Sequence, residues 1–173
     1  MQLDRVPAHH RVYLDATVCI YHFVGASAQC TRFVERCERG GIAGVIGAHV
    51  LAEVAHRLMT IEAVRRGLLT PGNVAAKLRA NPAAVRQLSV YQTNLDFLGA
   101  IGLEILPLDD ETIAASATFR REHGLLVNDS LTAALLRLAQ IQAIATSDRD
   151  FLRVPGLDVY LPTDLSPMLP GSA

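Results

Sequence analysis

The chain has 173 residues, half of them hydrophobic, and this length suits one domain with a substantial core and one active site. A formal net charge of −1 excludes a global field that would gather nucleic acid or an acidic surface. No apolar run reaches the ~18 residues that cross a bilayer, and the opening "MQLDRVPAHHRVYLDA" lacks a signal-peptide stretch, so the expectation is a soluble, cytoplasmic protein without a membrane role. Cys19, Cys30 and Cys37 form no CxxC pair, and their odd number argues against a disulfide framework; they read as reduced core residues. Fifteen of the sixteen basic residues are Arg, with Lys77 the single Lys, a balance that favours bidentate contact with phosphate without proving it.

Residues 1–10 form an N-terminal segment, 11–162 the domain and 163–173 a tail. "RVYLDA" (11–16) predicts a strand ending in an Asp, and "TVCIYHFVG" a short helix closing at Gly25. Ser27 opens a second helix, with Cys30, Phe33, Val34 and Cys37 at helical spacing and a stop at Gly40 and Gly41. "IAGVIG" (42–47) predicts a buried strand. A long helix follows from Ala48 to about Leu69, its apolar stripe formed by Val50, Leu51, Val54, Leu58 and Ile61, with Glu53 and His56 to one side. Pro71 and Gly72 break it, "NVAAKLRA" predicts a short helix, and Pro82 opens another over about 83–100, so that the middle of the chain forms a helical arm beside the sheet. "LEILPL" (103–108) predicts a strand, and Asp109 or Asp110 caps a helix that Gly124 closes. The stretch "LLVNDSLTAALL" holds the next helix, "AIATS" (143–147) the next strand and "LDVYLP" (157–162) the last. Strands alternating with helices imply an α/β fold with a mostly parallel sheet covered on both faces.

Asp15 ends the first strand, Asp148 follows "AIATS", Asp129 stands at or near the start of its helix, and Glu53 lies in the first turns of the helix after the second strand. In a parallel α/β sheet, strand C-termini and the N-termini of the following helices share one edge, so all four are expected to converge there. Carboxylates gathered in one crevice raise each other's pKa unless a cation neutralises them. With no Cys or His cluster, an all-oxygen site suits Mg²⁺ or Mn²⁺, and phosphodiester hydrolysis is the chemistry that follows.

Taken singly, Asp129 and Asp148 read equally as helix caps or as ligands. Asp150 reads equally as a ligand or as the opening of a turn, and Glu53 alone is an ordinary helix residue. Asp109 and Asp110 read as caps, His56 as a structural helix residue, and His9 and His10 as non-catalytic. Thr17, Asn128, Ser130, Thr146 and Ser147 supply hydroxyls or an amide that would orient the carboxylates or bound water.

At these residues the chain resembles the PIN-domain nucleases, and in particular their VapC-type members. "VYLDATVCIY" is similar to the family's opening strand, in which an Asp is followed two residues later by Asn, Ser or Thr, here Asp15 and Thr17. "HVLAEVAHRL" with Glu53, "LLVNDSLTAALL" with Asp129, and "AIATSDRDF" with Thr146 and Asp148 resemble the second to fourth motifs. The resemblance spans about residues 11 to 162. It implies a three-layer αβα sandwich, a Mg²⁺ or Mn²⁺ site, endoribonuclease activity on RNA, commonly a homodimer and, in the toxin subgroup, a cognate antitoxin. The helical stretch from about 62 to 101 is longer than in compact members, and RNA contact would fall to local pairs such as Arg65 and Arg66 or Arg120 and Arg121, which read equally as solvated helix faces.

Other functions fit less well. An aspartyl-phosphate enzyme of the haloacid-dehalogenase type would place a second Asp two residues after Asp15, where Thr17 stands, and a receiver domain would need a late Lys. No GxxxxGK[ST] stretch is present. A non-catalytic PIN-like module that binds RNA or protein is the alternative; its cheapest sign is loss of a carboxylate, and all four are present.

Overall fold

A computed structural model describes residues 1–165. Five parallel strands form one sheet in the order β3-β2-β1-β4-β5: β1 Arg11–Leu14, β2 Ala43–Gly47, β3 Glu104–Leu106, β4 Ala143–Ala145 and β5 Asp158–Tyr160. Val12, Tyr13 and Leu14 of central β1 are wholly buried, as a strand covered on both faces requires. The order reverses at β1, between β2 and β4, and an open α/β sheet forms its crevice at such a switch point, outside the strand C-termini.

The helices are α1 Ala16–Val24, α2 Ala28–Glu38, α3 Ala48–Arg65, α4 Val74–Ala80, α5 Pro82–Val85, α6 Val90–Ala100, α7 Asp110–His123 and α8 Val127–Leu138. Ser27 caps α2 by accepting from the Cys30 amide, and Asp109, rather than Asp110, caps α7 through the Thr112 amide. The three cysteines are buried and unpaired by disulfides.

Two expectations need correction. α3 stops at Arg65, and Gly67 takes the left-handed φ of 68° that turns the chain away. The helix expected over 83–100 is two helices, because a residue distant in sequence ends the continuity. The buried carboxylate of Glu62 accepts from the amides of Ser89 (3.0 Å) and Tyr91 (2.9 Å), capping α6 where Ser89 makes no side-chain cap, and Arg66 holds the same carboxylate at 3.1 Å. Burial opposes that charge, but the amides of Ser89, Tyr91 and Val90 and the Arg66 bond outweigh it, and the Glu62 pKa falls below the usual carboxylate value.

The arm therefore has its own small core of Ala63, Val74, Leu78, Ala84 and Leu88, built on the C-terminal half of α3. The first residues are also part of the fold. Gln2 bridges to Leu161 in parallel fashion beyond β5, and Leu3 is wholly buried in the main core. Thr163 and Asp164 are tied to the start of α2 through Gln29 and Ser27; the rest of the expected tail, 166–173, lies outside the described residues.

Candidate active site

Asp15 follows β1 directly and is the N-cap of α1, only 8% exposed. Its backbone continues the sheet pairing, the amide donating to the Ala145 carbonyl at 3.0 Å, so β1 and β4 fix its place together. One carboxylate oxygen, Oδ2, accepts from Thr17 Oγ1 (2.7 Å), the Thr17 amide (3.4 Å) and Thr146 Oγ1 (2.8 Å). The other, Oδ1, receives no hydrogen bond among the described residues. One oxygen is thus locked and the other left for the crevice.

The two threonines extend the network. Thr17 Oγ1 accepts from the Ser147 amide at 3.0 Å, and Thr146 Oγ1 accepts from the Asp148 amide at 2.9 Å. Each hydroxyl donates to Asp15 and accepts from the loop after β4, so the loop that carries Asp148 is hung from the Asp15 carboxylate. Asp148 Oδ1 accepts from the Asp150 amide at 2.8 Å, and Asp150 pairs with Arg153 at 2.8 Å. That ion pair occupies part of the Asp150 carboxylate, and the residue opens the 3-10 turn Asp150–Arg153.

Asp129 is in the first turn of α8 but is not its cap: the N-cap is Leu126, without a side-chain cap bond. An acidic side chain there is favoured by the helix dipole. Burial pushes its carboxyl up to about 6, with Asp148, Asp15, Glu53 and Asp150 adding repulsion in that order. This places the carboxylates expected from the sequence within electrostatic reach of one group. Glu53, on α3, accepts from Asn128 Nδ2 at 3.2 Å, which brings α3 to the first turn of α8.

Ser130 does not join them. Its hydroxyl donates to the Val127 carbonyl (2.7 Å) and accepts from Arg120 Nη1 (3.0 Å), so it faces α7. Arg120 is thereby engaged in joining α7 to α8, and Arg65 and Arg66 reach backbone carbonyls of Val24 and Gln87. His56 is exposed on α3. A residue that sequence reading passed over is His49, one helical turn before Glu53, whose Nε2 lies 3.0 Å from Thr132 Oγ1.

Among the described residues, no Arg or Lys forms an ion pair with Asp15, Glu53, Asp129 or Asp148, and no three His, Cys, Asp or Glu groups come together closely enough to enclose a metal ion by themselves. The result is an open, all-oxygen crevice with uncompensated negative charge.

A family model described as PIN domain matches residues 12–157. The chain belongs to the PIN domain family. The ribonuclease VapC2 of Methanocaldococcus jannaschii is 24% identical to this PIN domain over 152 residues, 87% of this chain and 93% of that protein. Among solved structures, a toxin-antitoxin complex from Klebsiella pneumoniae matches with a TM-score of 0.57 at 16% identity, covering 89% of this chain and 99% of that one. VapBC2 from Rickettsia felis, bound to a DNA fragment from its promoter, matches at 0.57 and 18% identity over 87% and 98% of the two chains. FitAcB from Neisseria gonorrhoeae matches at 0.54 and 21% identity, over 89% and 99%. These likenesses establish the PIN-like α/β fold, with its five-stranded parallel sheet between helices. No helix among the described residues is long and apolar enough to cross a membrane.

Proposed function

We propose that this PIN domain is a divalent-metal-dependent endoribonuclease of the VapC type, the toxin of a toxin-antitoxin pair, acting in the cytoplasm and assembling as a homodimer. The observation that carries the reading is geometric: at the switch point of the sheet the Thr17 and Thr146 hydroxyls tie Asp15 to the loop of Asp148, and Asn128 ties Glu53 to the first turn of α8 that holds Asp129. No basic side chain among the described residues pairs with these four carboxylates. The raised pKa of Asp129, due first to burial and then to its acidic neighbours, agrees with it. Likeness to VapC2, a ribonuclease, and to toxin-antitoxin complexes supports the substrate class and the antitoxin partner.

The donor set fits Mg²⁺ or Mn²⁺. It is all oxygen and its charge is unpaired by any basic side chain among the described residues; no three of its groups stand close enough there to hold an ion by themselves, so retained waters would have to complete the shell, as these hard cations prefer. Asp15 Oδ1, Asp129 and Asp148 are the groups that would hold the ion, with Glu53 as the fourth carboxylate. A bound divalent ion supplies an activated water and offsets charge on the phosphate. Thr17 and Thr146 orient Asp15, Asn128 orients Glu53, and Asp150 braces the loop at Asp148.

Controlled expression in a bacterial host tests the toxin reading. Wild type is expected to arrest growth with loss of RNA integrity, and Asp129→Asn to restore growth at equal protein level. Arrest by both proteins would reject a nuclease cause.

A further inference from the structure

The helices that carry Glu53 and Asp129 scarcely pack on each other. α3 lies against α1, α4 and α6, and α8 chiefly against α7. Among the described residues two hydrogen bonds join α3 to α8: Asn128 Nδ2 to Glu53 Oε2, and the His49 Nε2 contact with Thr132 Oγ1. His49 is four residues before Glu53, and Thr132 three after Asp129, so each pair shares a helix face. The His49–Thr132 bond is a second rung, one turn behind the rung at the carboxylates.

The packing around His49 is built to hold it. A Cβ on Gly47 would collide with the Tyr13 hydroxyl and stand 2.8 Å from His49 Cε1 and Nδ1, so only glycine allows the ring its seat at the end of β2. Tyr13 is wholly buried with its hydroxyl beside Thr132 and Gly47, and His49 Nδ1 is buried without a hydrogen-bond partner among the described residues. Burial lowers the His49 pKa against the pull of Asp15, which keeps the ring neutral, with one nitrogen a donor and the other an acceptor.

We propose that His49 is a positioning residue, which through Thr132 fixes α3 against α8 and so sets the spacing of Glu53 from Asp129 across the metal-binding crevice. This rests on the proposed reading of Asp15, Glu53, Asp129 and Asp148 as a divalent-metal site. Mn²⁺ binding by calorimetry, on wild type, His49→Phe, Thr132→Val, the double variant and His49→Gln, tests it together with melting temperature. Each single loss is expected to weaken Mn²⁺ binding about tenfold, in the range that contacts behind metal ligands carry. The double variant should be no worse than the weaker single, because both break one bond. His49→Gln, which keeps a polar nitrogen near the Nε2 position, should recover most of the affinity. In RNA cleavage, the Mn²⁺ concentration for half-maximal rate should rise about tenfold while the rate at saturating Mn²⁺ changes by less than about threefold.

If His49→Phe does not fold, Thr132→Val carries the test alone, since it swaps a hydroxyl for a methyl of similar size. Wild type that binds Mn²⁺ with both single variants within about twofold of it would overturn this proposal and leave the metal site standing. Wild type that binds no Mn²⁺ would overturn the metal-site reading and this proposal with it.

Discussion

Asp15→Asn is expected to reduce RNA cleavage and Mn²⁺ affinity by about a hundredfold or more, at least the upper end of what contacts behind metal ligands cost. The fold should survive. The amide oxygen of Asn can take over the bonds now made to Oδ2 by Thr17 and Thr146, so the cap of α1 and the suspension of the loop after β4 persist. What changes is the crevice side: Oδ1, free of hydrogen bonds among the described residues, becomes an NH₂ group that cannot ligate a cation. Asp15→Ala is the contrasting variant. It strands the buried Thr146 hydroxyl and the half-buried Thr17 hydroxyl and removes a cap worth about 1 kcal/mol, so its loss of activity should come with a lower melting temperature. Calorimetric Mn²⁺ titration and thermal denaturation of both variants separate ligand loss from fold loss.

The second large effect is a pH dependence set by Asp129. Its carboxyl titrates at about 6 in the metal-free fold, above its ordinary 3.8, chiefly through burial and then through Asp148, Asp15, Glu53 and Asp150. A bound cation requires the ionised form, so Mn²⁺ affinity should fall as pH drops through about 6, approaching tenfold per pH unit below it on this group's account. Stability runs the other way. The metal-free folded state holds a proton between pH 3.8 and about 6 that the unfolded chain has released, so this group's stabilising contribution is greatest at low pH and is lost as pH rises through 6. The full shift would convert to about 3 kcal/mol, but Asp129 is only half-buried, and solvent screening reduces the expected effect to about 1 kcal/mol. Metal-free Asp129→Asn should therefore be more stable than wild type at pH 7.5, and the difference should vanish near pH 4. Saturating Mn²⁺ should reverse the order by stabilising wild type alone. Denaturation at the two pH values, with and without the ion, reads all of this. Equal stability of the metal-free proteins at pH 7.5 would mean that neither burial nor the neighbouring carboxylates oppose the charge on Asp129.

Much of this arrangement was legible in the sequence. A strand of apolar residues ending in Asp15, and a polar "TSD" after "AIA", mark the sheet edge by local pattern, and helical spacing placed Glu53 and Asp129 near helix starts. What pattern could not supply is which atoms meet. Thr17 and Thr146 were visible as nearby hydroxyls, but that both clamp the same Asp15 oxygen depends on β1 and β4 being neighbours, 131 residues apart at the Thr146 contact. Ser130 was grouped with the site because it follows Asp129, yet one step around a helix turns it onto Arg120. The break between α5 and α6 has no local signal strong enough to predict it, because the capping group is Glu62, more than twenty residues earlier. The N-terminal segment offered no periodicity to read, and its place is set by a bridge to Leu161 at the far end of the domain. His49 is the instructive omission: its spacing of four from Glu53 was in view, but its meaning came only with Thr132 on another helix.

Whether these carboxylates form one metal-dependent nuclease site is decided by RNA cleavage by purified wild type and Asp129→Asn on a pool of structured and unstructured RNAs, each with Mg²⁺, Mn²⁺ or EDTA. A single metal-dependent site gives cutting by wild type with either cation, none in EDTA, and loss of cutting in the variant at every cation concentration tried. Cleavage that persists in EDTA, or that Asp129→Asn performs as well as wild type, would contradict it.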